Sequence, residues 1–273
     1  MKKRFIREKK IYCGDYLETD IFSYTGNQED VHRRGRRSKK QKETEPKQKN
    51  LNDKNARRYL TQLANTNFKE NDLHVTTTYK DKYLPESIEE AEKEAINFLR
   101  RISYRRKKDG LPALKYILIT ECTTKKDTEK PIRIHHHILI NGGLDRDVVE
   151  SLWCKRKKKG EDKGERIGII NATNLQPDEN GIVGLALYLT KNPGKKKRWS
   201  SSQNLEKPWS RTNDFKYSKK EIEQIVKNPP DIEYWEKKYK GYTLTDKDYG
   251  MRCEYNEFTG WSIYLRLKKK SKE

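Results

Sequence analysis

The segment from Leu73 to Asn192 alternates between the hydrophobic period of strands, about 2 residues, and that of helices, about 3.6 residues. This alternation is the sequence feature that most restricts the fold of the chain. Short β-branched or alternating segments predict strands; they are "LHVTTTY", "LKYILITEC", "IRIHHHILI" and "IGIINATNL". Segments with helix start and stop signals predict helices; they are "PESIEEAEKEAINFLRRISYRRKKDG", "DRDVVESLWCK" and "DENGIVGLALYLTKN". The order β-α-β-β-α-β-α predicts an α+β fold of ferredoxin-like arrangement, with a central antiparallel sheet and flanking helices.

The first of these helices has the clearest pattern. It opens with Pro85 and Ser87, carries acidic residues in its first turn and ends with basic residues before Gly110. Its apolar residues recur at steps of three and four, which predicts a buried stripe. The stripe consists of Ile88, Ala91, Ala95, Phe98, Leu99 and Ile102.

Composition divides the chain into three regions. Residues 1–70 are expected to be basic and partly flexible, because Val31 to Arg58 contains almost no apolar residue. This stretch is interpreted either as a linker or as a DNA-contacting arm, helical only near its end, and ordered structure is expected to begin near Leu73. Residues 71–192 form the domain described above. Residues 193–273 are basic and rich in aromatic residues, and are expected to pack on that domain or extend it, with a short helix in "YSKKEIEQIVKN" and one or two strands after it.

The charge of the chain points to a polyanionic partner. Lys and Arg number 62 against 41 Asp and Glu, a net charge of +21. Basic side chains that displace counterions from phosphates gain affinity for nucleic acids. A solubilising coat of lysines is the alternative.

The cysteines and the hydropathy of the chain indicate the cellular compartment expected for the protein. The four cysteines have no CxxC spacing, which predicts free thiols rather than a disulfide framework or a zinc cluster. The basic amino terminus is not followed by the apolar core of a signal peptide. No segment approaches the roughly 20 apolar residues of a membrane span. A cytoplasmic protein without a membrane partner is expected.

Three of the five histidines are consecutive within a predicted strand. Because side chains alternate along a strand, His135 and His137 share one face with Arg133, whereas His136 points to the other. Two imidazoles at positions i and i+2 can bind one divalent metal ion. Glu121, at the end of the neighbouring strand, is a candidate third ligand whose face the sequence leaves open. The alternatives are histidines held by hydrogen bonds in a core, or a basic surface that faces nucleic acid.

A tyrosine and a lysine follow on the last predicted helix of this domain. Tyr188 and Lys191 are three residues apart and therefore lie about one turn from each other on one helix face. A tyrosine oxygen can attack a phosphodiester if a metal ion makes the phosphorus more electrophilic. The spacing alone is weak, because the chain contains 16 tyrosines.

Together these features resemble the HUH endonucleases, a superfamily that includes replication initiators. The resemblance consists of His-x-His on a strand, then Tyr-x-x-Lys on a helix, with "LHVTTTY" matching the first family motif. The family has a hydrophobic residue between the histidines, so His136 departs from it. The single tyrosine resembles plasmid, phage and small single-stranded-DNA virus initiators, and "KNPGKKKRWSSSQNL" resembles the tail of phage-type initiators of Gram-positive bacteria. The resemblance covers roughly Leu73 to Lys207.

The resemblance implies a rolling-circle replication initiator. It assigns His135, His137 and Glu121 to a Mg²⁺ or Mn²⁺ ion, Tyr188 to the nucleophile that forms a 5′-phosphotyrosine link, and Lys191 to a positioning or neutralising role. The implied partners are single-stranded or hairpin origin DNA and a host helicase and polymerase. The chain contains no GxxxxGK[ST] phosphate loop.

Residues beyond this set are candidates for DNA binding through backbone contacts or base stacking. They are Arg133, Lys195, Lys196, Lys197, Arg198 and Trp199. His74 is interpreted as structural. An HUH transposase or mobilisation relaxase, and a non-catalytic basic nucleic-acid-binding protein, are the alternative functions; the oligomeric state is left open.

Overall fold

A computed structural model describes residues 4–25, 46–124, 131–156, 164–189, 199–246 and 250–270. The side chains of Arg133 and Tyr188 are not among those described. The chain has an α+β fold in which helices flank two antiparallel sheets. The α+β class predicted from the sequence is therefore confirmed. No helix in the described part of the chain is both long and apolar enough to cross a bilayer.

The strands within these ranges are β1 (Arg4–Cys13), β2 (Tyr16–Thr25), β3 (Leu73–Thr77), β4 (Tyr116–Thr124), β5 (Pro131–Ile140), β6 (Ile170–Asn174), β7 (Ser200–Ser201), β8 (Trp209–Asn213), β9 (Tyr242–Leu244), β10 (Met251–Asn256) and β11 (Gly260–Lys269). The α-helices are α1 (Pro46–Asn67), α2 (Ile88–Lys108), α3 (Arg146–Ser151), α4 (Val183–Leu189), α5 (Lys219–Lys227) and α6 (Ile232–Lys238).

The chain divides into two compact units. The central unit comprises Asn67–Pro177 and Ile182–Glu206, and the terminal unit comprises Met1–Thr66, Asp178–Gly181 and Lys207–Glu273. Most of the two end regions that the sequence analysis treats separately thus belong to one unit, whereas residues 67–70 and 193–206 belong to the central unit.

The sheet of the central unit has the order β6-β3-β5-β4-β7, and all its pairs are antiparallel. The helices α2 and α3 pack on one face of it, where residues such as Phe98, Val149 and Trp153 surround Ile138 in a hydrophobic core. Of the six residues in the predicted stripe of α2, all but Ile88 are buried. The helix begins after Ser87, whose side chain accepts a hydrogen bond from the Glu90 amide, as its start signal predicts.

The terminal unit is built on a sheet of order β10-β11-β2-β1-β8, with β9 paired to β11. The expectation that order begins near Leu73 is wrong, because β1 and β2 form a hairpin at the start of the chain. Gly14 lies in its turn with φ of +65°, and a Cβ there would be 2.5 Å from the carbonyl oxygen of Asn65. The helix expected near the end of the basic arm is α1, which begins at Pro46; residues 26–45 lie outside the described ranges.

Buried ion pairs explain why this unit has little apolar sequence. Glu18 is buried and bonds to Arg58, Gln62 and Arg266. Burial raises the pKa of Glu18, but the two arginines and the glutamine outweigh it, so the net pKa lies below its ordinary value. Paired charges thus occupy positions that a hydropathy pattern assigns to apolar residues.

Residues 207–273 complete the terminal unit. The predicted helix in "YSKKEIEQIVKN" is α5, capped by Ser218. The strands expected near the end of the chain are β9, β10 and β11, and β11 pairs with β2. They therefore extend the sheet of the terminal unit.

Candidate metal centre

The three consecutive histidines lie on β5, in the middle of the central unit's sheet. The register places Glu121 of β4 directly opposite His135, and Thr76 of β3 directly opposite His137. Directly opposed residues of an antiparallel pair point to the same face. The pairing therefore settles what the sequence leaves open: Glu121 shares a face with His135 and His137.

The geometry of these three residues fits a divalent metal ion. His135 Nε2 and Glu121 Oε2 are 3.0 Å apart, and the ligand atoms of Glu121, His135 and His137 all lie within 4.8 Å of one another. Coordination bonds of about 2.0–2.2 Å place neighbouring ligand atoms about 3.0–3.4 Å apart, so side-chain adjustments of about 1 Å bring the three to one ion. Two imidazoles and one carboxylate suit Mn²⁺ and other transition metals better than Mg²⁺.

The environment keeps His137 in the neutral form that can bind a metal ion. Burial, with smaller effects of His74 and His135, lowers the pKa of His137 to about 4. An imidazole must be neutral to donate a lone pair to a metal ion. His137 is only 5% exposed, whereas the side chains of His135 and Glu121 are 22% and 17% exposed. Solvent and a substrate group can thus approach from the side of His135.

Two side chains of β3 contact the ring of His137. His74 Nε2 lies 3.2 Å and Thr76 Oγ1 lies 3.3 Å from His137 Nδ1. Because Nδ1 is engaged in this way, ligation by His137 would use Nε2, with the Nδ1 proton donated to His74 or Thr76. Contacts of this kind orient ligating histidines in metal sites. The structural role predicted for His74 thus takes the form of a contact with the ring of His137.

His136 belongs to the opposite face of the sheet, as the alternation predicts. It is fully buried, and its nitrogens lie 2.9 Å from Thr120 Oγ1 and 2.7 Å from the hydroxyl of Tyr79. That hydroxyl also donates to the carbonyl oxygen of Ala91 at 3.2 Å. Burial, with smaller effects of the adjacent histidines, lowers the pKa of His136 to about 3, so the ring is neutral. A polar residue is tolerated here because both ring nitrogens have partners.

The structure places only part of the remaining predicted site. Tyr188 lies in α4, but its side chain is outside the described set, and Lys191 and Lys195 to Arg198 lie outside the described residues. The side chain of Arg133 is also not described. Trp199 is half-buried and directly precedes β7, an edge strand of the central unit's sheet.

Two other tyrosines are possible rivals of Tyr188. Tyr79 is turned to the face opposite the three candidate ligands, where it bonds to His136, and burial raises its pKa far above the ordinary value. It is unsuited to attack a phosphate bound at the ligands. Tyr104 lies on α2 and is 73% exposed.

Comparison of the chain with protein family models, with curated proteins and with solved structures finds no match. The assignment of a function therefore depends on the geometry and the residue pattern themselves.

Proposed function

We propose that this protein is a metal-dependent single-strand DNA endonuclease and strand transferase of the HUH type, which initiates rolling-circle replication. The observation that carries the proposal is the cluster of Glu121, His135 and His137, contributed by adjacent strands and gathered within 4.8 Å. Mg²⁺ and Mn²⁺ are the proposed cofactors, and the donor set favours Mn²⁺.

The topology of the central unit supports the proposal. Its strands β3 to β6 occur in the sheet order β6-β3-β5-β4. The helices α2 and α3 pack on one face, and each connects two parallel strands that are separated by one other strand of the sheet. This order supports a ferredoxin-like arrangement of split β-α-β type, the scaffold that the proposed HUH assignment implies. The scaffold puts the two histidines on a central strand, where hydrogen bonds on both sides hold the backbone that carries them.

The proposed reaction is a transesterification at phosphorus. A cation held by Glu121, His135 and His137 would polarise the scissile phosphate and stabilise the charge of the transition state. The oxygen of Tyr188 forms a bond to phosphorus while the bond to the 3′ oxygen breaks, and the tyrosine proton passes to the departing 3′ oxygen, which becomes a free 3′-OH. Lys191 neutralises charge near the phosphate. One phosphodiester replaces another, so rejoining is the same step reversed and no nucleotide hydrolysis is needed.

The proposed partners follow from this product. The free 3′-OH is a primer for a host polymerase, and a host helicase would separate the strands, because the chain has no phosphate loop of its own. The net charge of +21 suits a DNA substrate. A replicating protein of this kind would act in the cytoplasm.

The test is covalent capture of DNA. The full-length protein is incubated with Mn²⁺ and single-stranded oligonucleotides from the DNA that carries its gene, and a denaturing gel is examined for a protein–DNA adduct. We expect an adduct that is lost in both Tyr188→Phe and His137→Ala. Tyr104→Phe is the matched control, because it removes the same hydroxyl from an exposed helix position, and it should leave the adduct unchanged.

Binding measurements on the same variants separate the metal site from the chemistry. Calorimetric titration with Mn²⁺ should show binding by Tyr188→Phe and none by His137→Ala. An adduct that persists in Tyr188→Phe would place the nucleophile elsewhere, and absence of any adduct would favour a non-catalytic nucleic-acid-binding protein. Cleavage of a hairpin origin supports the initiator, whereas cleavage only at paired transposon ends or at a transfer origin would favour a transposase or relaxase.

A further inference from the structure

The terminal unit carries a pair of stacked aromatic rings at the edge of its sheet, and the outer ring of the pair is exposed. Trp209 of β8 and Tyr12 of β1 are directly opposed, with ring centroids 4.0 Å apart and planes inclined by 12°. Trp209 is 56% exposed. Because β8 is the last strand of this sheet in the described residues, the face of the indole turned away from Tyr12 points past the sheet edge. A flat apolar surface is thus open to solvent.

Two basic residues accompany this pair on the same face of the sheet. Lys10 and Arg211 oppose each other two residues along β1 and β8, and residues at i and i+2 of a strand share a face. Arg211 is exposed, and Lys10 is partly exposed. Lys10 lies 4.0 Å from a carboxylate oxygen of Glu8, but Lys216 already pairs with that carboxylate at 2.7 Å. The local charge therefore remains positive.

We propose that the Tyr12–Trp209 stack is a binding platform for single-stranded nucleic acid, with one unpaired base on the open face of Trp209 and phosphates held by Lys10 and Arg211. Stacked aromatics beside basic side chains are the combination that binds single strands without base-specific hydrogen bonds. The platform is distinct from the metal centre and requires neither cleavage nor a metal ion.

Single-stranded nucleic acid fits these residues better than other occupants. A duplex keeps its bases stacked internally, so it offers backbone charge to Arg211 but no base face to Trp209. A protein strand added to the edge of β8 would use backbone hydrogen bonds and gain little from the indole. The excess of positive charge in the chain favours a polyanion.

The experiment measures binding without chemistry. Fluorescence anisotropy of a labelled oligo(dT) of about 16 nucleotides, in a range that single-strand platforms occupy, is recorded with the full-length protein in EDTA. Trp209→Ala should raise the Kd about 5- to 150-fold, the effect of losing one stacked base. Trp209→Phe keeps an aromatic face and should recover most of this loss. Arg211→Gln should lower the slope of log K against log salt by about 1.

A matched control distinguishes loss of the Tyr12–Trp209 stack from loss of an exposed aromatic side chain elsewhere in the unit. Phe258→Ala removes an aromatic side chain that is 81% exposed in the turn between β10 and β11 of the same unit, and it should leave the Kd unchanged. Equal binding by Trp209→Ala and the unaltered protein would overturn the proposal. So would competition by duplex DNA as effective as that of oligo(dT). Because EDTA prevents metal binding, the result does not depend on whether the protein cleaves DNA.

Discussion

Replacement of His136 by leucine tests whether the three consecutive histidines have different roles, His136 in the core and His135 and His137 at the metal site. If His136 serves only the core, the variant loses stability but keeps its metal affinity. Leucine is close to histidine in size and fills the same space among buried neighbours, so the main loss is polar. The side chain bonds to Thr120 at 2.9 Å and to Tyr79 at 2.7 Å.

The magnitude follows from which groups are left without a partner. The hydroxyl of Tyr79 keeps its bond to the Ala91 carbonyl at 3.2 Å, whereas the buried hydroxyl of Thr120 loses the bond to His136. A buried polar group deprived of its partner costs about 1–3 kcal/mol, and we expect the free energy of unfolding to fall by this amount for His136→Leu. Addition of Thr120→Val removes both partners, and the double variant should be about 0.5–1.5 kcal/mol more stable than the sum of the single changes indicates.

Urea denaturation followed by tryptophan fluorescence measures the stability, since Trp153 is buried in the same core and its ring centroid lies 6.3 Å from that of His136. Calorimetric titration with Mn²⁺ measures the metal affinity of each variant. The control is His137→Ala, which should remove metal binding. Loss of Mn²⁺ binding in His136→Leu as complete as in His137→Ala would refute the assignment of His136 to the opposite face.

Three further predictions follow from single contacts. His74→Ala should weaken Mn²⁺ binding about 10- to 100-fold because it releases the ring of His137. His74→Gln retains an acceptor and should recover part of the lost affinity. Equal Mn²⁺ affinities of His74→Ala and the unaltered protein in calorimetry would rule out a positioning role. Glu18 has a lowered pKa in the fold, so its contribution to stability is present above pH 4.5 and is lost as the pH falls through its folded pKa. In Glu18→Gln, the free energy of unfolding should therefore depend less on pH in the acidic range. An unchanged acid denaturation curve would contradict this. Arg106 is 1% exposed and donates to the carbonyl oxygens of Pro112, Asn141 and Gly142. Arg106→Met should therefore lower the free energy of unfolding, measured by urea denaturation, by about 2–4 kcal/mol. A decrease below about 1 kcal/mol would show that water replaces these hydrogen bonds.

The central unit was predictable because its pattern is strong over long segments. The helix α2 has a capping serine, a stripe at steps of three and four, and a basic end, and each of these agrees with the structure. The strands β3 to β6 are apolar or β-branched between turn residues. When propensity, periodicity and end signals agree, local sequence is sufficient to predict the element.

The β1–β2 hairpin of the terminal unit was missed because charged residues interrupt its apolar pattern. Lys10 and Glu18 lie inside strands whose alternation is hidden by such residues, and the burial of Glu18 depends on Arg58 and Arg266, which are distant in sequence. The dipeptide Gly14–Asp15 between two ten-residue segments was a usable hairpin signal. No local pattern reveals that β11, at the end of the chain, pairs with β2.

For the candidate site, the sequence by itself determined that His135 and His137 share one face and that His136 points to the other, because backbone geometry imposes that alternation on any strand. Only the tertiary structure decided that Glu121 joins them and that His74 contacts His137. Those relations depend on the register between β4, β5 and β3, and a shift of one residue would turn every side chain to the opposite face. Register is set by pairing between distant segments, so it emerges only when the sheet is assembled.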